Sequence, residues 1–222
     1  MALRREFLPW LIALPLVAAA VAVALAPSAR AAAAAQQDFE TAMTRTPDLA
    51  NGQKLYVTCA GCHRDSGMGN RDGTVPVVAG QHRPVTIRQL ADYRHARRWD
   101  PRMQHYADVH VLADAQAMAD VAGYIESLPR GEGSGTGRGD LVQRGNALFA
   151  ARCAACHGGG GQGDAASLVP RVAGQHYGYL LRMLNDAIEG TRPSFPTDHI
   201  RLLEGLAAED RIGLADAISR MR

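Results

Sequence analysis

Cys59-Ala-Gly-Cys62-His63 recurs at a displacement of 94 residues as Cys153-Ala-Ala-Cys156-His157, and these four cysteines are all the chain contains. Two cysteines three apart on a helical turn point to one side, where their thiols can add to the two vinyl groups of a haem. The histidine that follows then reaches the iron from one face, which makes Cys-x-x-Cys-His the attachment pattern of a c-type haem. Disulfides within each pair would leave the repeated histidines unexplained. Zinc needs four ligands, and neither half supplies a second ligand pair at finger spacing. The chemistry expected is therefore two covalently bound haem c groups, on Cys59, Cys62 and His63 and on Cys153, Cys156 and His157.

An electron-carrying haem iron takes a sixth ligand, which sets its potential and limits rearrangement on redox change. In the first half Met103 follows His63 by 40 residues, in a segment, Arg98 to Met103, expected to be a loop between the second and third helices. His105 is its rival; Met68 is too close to His63 to reach the opposite face, and Met118 falls on an apolar helix face. A thioether ligand suits a higher-potential carrier. The second half departs from this pattern, because Thr197 stands where Met103 stands in the first. Met183 matches Gln89 inside the second helix, and Met221 lies in the tail of the third. His199 is the nitrogen ligand at hand, against two plainer readings: a loop histidine matching His105, or an open or water-bound iron. His/His ligation would lower this haem's potential, whereas an open site would admit small molecules.

Other residues repeat with the haem motifs. Pro76 and Pro170 either aim a backbone carbonyl at the imidazole N–H of His63 and His157 or are plain turn residues. His82 and His176 close matching Ala-Gly-Gln-His segments and read as helix-start or surface residues. Tyr56 and Phe149 are expected against the porphyrin edges. Arg94, Arg97, Arg98 and Arg102 either pair with haem propionates, dock an acidic partner or form a solvated helix end.

The elements that position these residues also repeat. Pro76-Val-Val-Ala-Gly-Gln-His82 returns as Pro170-Arg-Val-Ala-Gly-Gln-His176, and the displacement of 94 holds without a gap from the first Cys-x-x-Cys-His onward. Upstream the halves slip by one, Gly52 to Cys59 being one residue shorter than Gly145 to Cys153. Each half, about 90 residues long, reads as a helix before the cysteines (52–57; 141–152), a glycine-rich loop, a second helix and a closing third helix. Met118, Val121, Ala122, Ile125 and Leu128 form the closing apolar face in one half; Ile212, Ala215, Ile218 and Met221 form it in the other. No stretch alternates as a strand would, so the fold is expected to be all-α. The boundaries expected are 36–128 and 140–222 for the two domains, with 129–139, dense in glycine, as a flexible linker.

Arg4 and Arg5, an uncharged stretch over 7–29 and Ala29-Arg30-Ala31 have the layout of a secretory signal over 1–31, with an uncleaved membrane anchor as the rival. The rest of the chain is expected to be exported. Among all 222 residues, 24 are basic and 22 acidic; residues 1–31 hold three arginines and one glutamate, leaving 21 of each. A balanced charge excludes a nucleic-acid binder that relies on a basic surface. The composition is 47% hydrophobic but only 5% aromatic, a thin supply of large side chains for two cores.

The paired Cys-x-x-Cys-His motifs, the repeated Pro-x-x-Ala-Gly-Gln segments, the helix ending Val121-Ala-Gly-Tyr-Ile125 and the lead-ins Gly52-Gln-Lys-Leu-Tyr56 and Gly145-Asn-Ala-Leu-Phe149 resemble the di-haem class I cytochromes c of the c-four type. The resemblance covers the whole chain after its leader. It implies two tandem cytochrome c folds packed as a pseudo-twofold pair, carrying electrons in a bacterial periplasm between redox protein partners of a respiratory chain. Cys59, Cys62, His63 and Met103 would hold one haem, and Cys153, Cys156 and His157 the other. The family's second methionine is absent here. The alternative is a haem subunit of a dehydrogenase or oxidoreductase whose second iron, open or bound by His199, acts on a small substrate.

Overall fold

The computed structural model describes residues 28–222, so the expected export segment lies outside the described residues except for 28–31. Those four residues open a helix over 28–43, α1, that the sequence reading did not separate from the leader. Its Ala35 and Ala42 are fully buried, and Phe39 and Met43 pack on the same core. Among the described residues no helix is long and apolar enough to cross a membrane.

The remaining elements are α2 (Leu49–His63), α3 (Arg83–Arg94), α4 (Pro101–Ala107), α5 (Ala115–Ser127), α6 (Val142–Leu148), a π turn (Phe149–Cys153), α7 (Ala154–His157), α8 (Tyr177–Ile188), α9 (Thr197–Leu203) and α10 (Ala208–Ser219). The all-α expectation holds, with one isolated bridge between Asp164 and Val169 and no strand among the described residues. Asp48 starts α2 by accepting from the amides of Ala50 and Asn51, so the helix begins before Gly52 and runs through the first haem motif. Where α2 crosses α5, a Cβ on Gly52 would stand 2.2 Å from the Asp120 carbonyl; at the matching crossing of α6 and α10, one on Gly145 would stand 1.9 Å from the Gly213 carbonyl. Only glycine lets these helix pairs close.

The one-residue slip upstream of the second motif has a local cause. The extra residue between Gly145 and Cys153 is absorbed by the π turn, the usual form of a single insertion in a helix. The gap-free repeat needs a correction further on. Leu112 and Leu206 are both buried at a displacement of 94, but the caps of α5 and α10, Asp114 and Ala207, stand 93 apart. First and last helices thus keep a common register in each half, and the π turn brings the haem motif back into step.

The halves meet across a self-complementary seam built from the Ala-Gly-Gln-His segments. Gln175 accepts from the Val77 amide and donates to its carbonyl, both at 2.8 Å. Gln81 does the same at Arg171, at 2.9 and 3.0 Å. His176 reaches the Met68 carbonyl at 2.6 Å, and His82 the Gln162 carbonyl at 2.9 Å. Every pair is the repeat mate of the other, as a twofold contact requires. His82 and His176 do cap α3 and α8, but their rings are seam groups rather than surface groups.

The segment 129–139 is pinned rather than flexible. Gly135 donates to His176 Nδ1 at 2.9 Å, and Gly137 and Gly139 donate to the Asp216 carboxylate at 2.9 and 2.7 Å. A Cβ on Gly135 would lie 1.7 Å from the Arg71 carbonyl. At these positions glycine serves close backbone approach, a use that composition does not distinguish from chain flexibility.

His176 is 1% exposed. Its Nδ1 accepts from Gly135, so its proton sits on Nε2 and the ring is neutral. Burial holds its pKa below the ordinary value, with Arg130 and Arg71 acting the same way and Asp72 and the Met68 carbonyl opposing. The unfolded ring protonates near pH 6.5 while the folded one resists. Its contribution is therefore complete above that pH and declines as the solution is acidified towards the folded value. In His176→Gln the amide can supply one donor and one acceptor without titrating. Thermal melts between pH 7 and 5 should show a shallower loss of Tm for this variant than for the parent; equal slopes would remove His176 as the source.

Candidate haem sites

The last turn of α2 carries Cys59, Cys62 and His63; the π turn and α7 carry Cys153, Cys156 and His157. No disulfide joins any of the four cysteines. Burial pushes Cys59 up to about 11 and raises Cys153. Among the described residues no group of three or more His, Cys, Asp or Glu is placed to hold a bare metal ion.

The Pro76 carbonyl lies 3.0 Å from His63 Nδ1, and the Pro170 carbonyl 3.0 Å from His157 Nδ1. Each carbonyl can only accept, so Nδ1 carries the proton and the Nε2 lone pair is free for a metal. Burial lowers the pKa of both imidazoles and keeps them in the neutral, ligating form. Of the two readings of Pro76 and Pro170, this geometry selects the orienting one.

The expected loop at Met103 is a short helix, α4. Asp100 caps it through the amides of Arg102 and Met103, and Pro101 takes the first position, where a missing N–H costs nothing. Arg94 holds the far end of this segment, donating to the carbonyls of Ala107 at 2.8 Å and Leu112 at 2.6 Å and pairing with Asp38 of α1. Met103 is half-buried and faces the cavity beside His63. His105 is exposed, with its ring edge-on to Tyr106. Met118 is core, as expected.

His199 also lies on a helix, α9, where a loop was expected. Its ring centroid stands 6.3 Å from that of His157, with the planes 62° apart. Phe195 stacks on its outer face at 5.4 Å, and the Arg192 guanidinium covers Phe195 at 4.3 Å. An imidazole nitrogen binds a metal at about 2.0–2.1 Å and the ring centroid lies about 1.1 Å further back, so two rings on opposite sides of one iron stand about 6.3 Å apart. His199 Nδ1 is buried without a hydrogen-bond partner, and Thr197 is exposed. Met183 and Met221 are engaged elsewhere: the first takes hydrogen bonds from Arg98 and Arg192, and the second packs in the second core.

One cavity of about 1070 Å³ joins the two sites, larger than the roughly 300–1,000 Å³ of a pocket for one drug-sized ligand. Tyr56 and Phe149 line it on the matching walls expected of them, and Tyr93 and Tyr179 line its middle. The four arginines before Met103 separate in role. Arg94 is structural, Arg97 faces Asp92 at 3.9 Å, Arg102 pairs with Asp100 at the surface, and Arg98 is buried between the halves. Sequence reasoning missed Gln89, Tyr179 and Arg192 as cavity residues, although Arg98 and Arg192 stand at the repeat displacement.

The family model for cytochrome c matches residues 49–129 and again 142–205. The thiosulfate dehydrogenase electron acceptor of Stutzerimonas stutzeri (strain A1501) is 32% identical over 181 residues, covering 73% of this chain and 82% of that protein. Cytochrome c4 of Pseudomonas aeruginosa is 29% identical over 170 residues, covering 73% and 81%. The crystal structure of reduced recombinant cytochrome c4 from Pseudomonas stutzeri superposes with a TM-score of 0.71 over 80% of this chain and all of that one, and at 24% identity it supports the fold. The chain belongs to the cytochrome c family, as a two-domain electron-transfer protein of the c4 type with two covalently bound haem c groups.

Proposed function

We propose that this carrier works with two unlike irons, a higher-potential site ligated by His63 and Met103 and a lower-potential site ligated by His157 and His199. Cys59, Cys62, Cys153 and Cys156 form the thioether bonds. The observation that carries the reading is the 6.3 Å separation of the His157 and His199 rings, which suits a single metal between them. It weighs against an open second iron acting on a small substrate. Each site takes and gives one electron. The potential order favours entry at the second haem and passage to the first, because a thioether ligand raises the potential that a second imidazole lowers.

Domains over 36–128 and 140–222, joined by 129–139, are supported by two separate cores, although the first core also takes in Ala35. Export to a bacterial periplasm follows from the leader pattern over 1–31, with membrane association resting on that segment alone. The partners are redox proteins. The likeness to a thiosulfate dehydrogenase electron acceptor favours a dehydrogenase as donor, with an oxidase or cytochrome complex as acceptor.

Spectroelectrochemistry of the purified holoprotein should resolve two one-electron steps of equal amplitude. Near-infrared magnetic circular dichroism should assign sulfur ligation to the higher step and bis-nitrogen ligation to the lower. A high-spin iron, or carbon monoxide binding to one haem in the unmodified protein, would overturn the ligand assignment.

A further inference from the structure

Arg98 is 8% exposed, and Arg192 lies beside it on the seam. They are repeat mates at a displacement of 94, and so are the residues they converge on, Gln89 and Met183. Arg98 donates to Gln89 of its own half and, across the seam, to the Tyr179 hydroxyl and to Met183 Sδ at 3.4 Å. Arg192 donates back across the seam to Gln89 at 2.6 Å, and within its own half to Ser194 at 3.3 Å and Met183 Sδ at 3.8 Å. Every one of these acceptors is neutral. Among the described residues neither guanidinium makes an ion pair; the nearby carboxylate of Asp92 faces Arg97. Burial and the charge of Arg98 bring the Arg192 pKa down to about 10 against the opposing pull of Tyr179, Tyr93 and Asp92, while those same three groups outweigh burial at Arg98 and hold its pKa above the ordinary value.

Buried Arg98 and half-buried Arg192 share a single nearby carboxylate, Asp92, which itself faces Arg97, so positive charge is in excess there, which is costly away from water, and both arginines line the cavity that joins the sites. An anionic group that enters with the ligand would balance that excess. A haem carries two carboxylates on one edge and no other anionic group. We propose that Arg98 and Arg192 form one shared clamp for propionate carboxylates of both haems, so that each arginine raises the potential of both irons. The inference rests on the two-haem reading above. Its physical content is simple: a one-electron reduction lowers the charge of a site by one, and a fixed positive charge within reach of both sites favours that change at each.

The test is potentiometric, on holoprotein first shown to carry two haems and two one-electron steps; failure there would reject the two-haem reading, not the clamp. Arg98→Gln and Arg192→Gln should each lower both midpoints, by about a tenfold change in each reduction equilibrium, equivalent to about 59 mV for one electron. Arg98→Lys keeps the charge and should stay close to the parent. Arg138→Gln, at an exposed position, should shift neither. A shift confined to one haem, no shift, or a Lys variant that falls as far as Gln would overturn the shared clamp. The unmodified holoprotein supplies a second reading: the resonance Raman propionate bending modes of both haems should lie at the hydrogen-bonded end of their range. Free-propionate positions would overturn the proposal even if no glutamine variant accumulates.

Discussion

A chain in which Cys59, Cys62, Cys153 and Cys156 are all serine, produced without haem, is expected to be largely unfolded. Part of the 47% hydrophobic composition is the alanine-rich leader, and only 5% of residues are aromatic, so the folded cores are smaller than the composition suggests. In the second half the buried apolar cluster consists of Phe149, Leu180, Ala187, Leu203, Leu206, Leu214, Ala215 and Ile218, arranged around one end of the 1070 Å³ cavity. Without its occupants this hollow leaves the apolar side chains that line it facing water instead of packing on a porphyrin, and exposed apolar surface costs about 25 cal/mol per Å². A domain is ordinarily stable by only roughly 5–15 kcal/mol, so the loss of that packing is felt at once. The porphyrins are thus core side chains that the sequence does not spell, and domains of this size have little else to fall back on. Far-UV circular dichroism and proton NMR decide the matter: low helicity and collapsed amide dispersion are expected, and a cooperative thermal transition in the haem-free chain would defeat the account.

What could be read from the sequence follows the range of the interaction. The haem motif is local, because two thioether bonds and an iron bond demand one fixed spacing, and Cys59 to His63 displays it without context. The orienting carbonyls are almost as local: Pro76 and Pro170 stand 13 residues after their histidines in both halves. Helices α4 and α9 were less legible, although Asp100-Pro101 is a cap and first-position pair that a closer reading of helix starts would have caught. Helix α1 was hidden by its own composition, since Ala31 to Ala35 suits a cleavage region as well as it suits a helix.

The seam was not legible at all, for a physical reason. Gln81 and Arg171 are 90 residues apart, and nothing near Gln81 announces that its amide will meet a backbone from the other repeat. The repetition itself was the only clue, because a residue kept in both copies can be kept for the contact between them. Glycines of the 129–139 segment are the same case. Their φ freedom is visible in the sequence, whereas the backbone of Arg71 that requires one of them is not.

The remaining prediction concerns the one ligand that sets the two halves apart. His199→Ala should turn the second haem from low-spin to high-spin while leaving the first unchanged. The small hollow of about 50 Å³ beside His157 and His199, walled by Leu148, Leu202, Leu203, Leu206 and Leu214, would widen on loss of the ring. One equivalent of carbon monoxide or cyanide should then bind per chain, where the parent binds none. Added imidazole should restore the low-spin spectrum, a rescue that a merely structural defect would not show. An unchanged spectrum would exclude His199 as the ligand. Met103→His probes the same difference from the other side. It makes both irons bis-histidine, so the higher potential should fall towards the lower one and the two redox steps should close up. The clamp at the seam acts on both haems alike and cannot separate their potentials. The replacement of a methionine position by Thr197 and His199 can, and if the gap persists in Met103→His, the direction of electron flow must be set by something other than the sixth ligands.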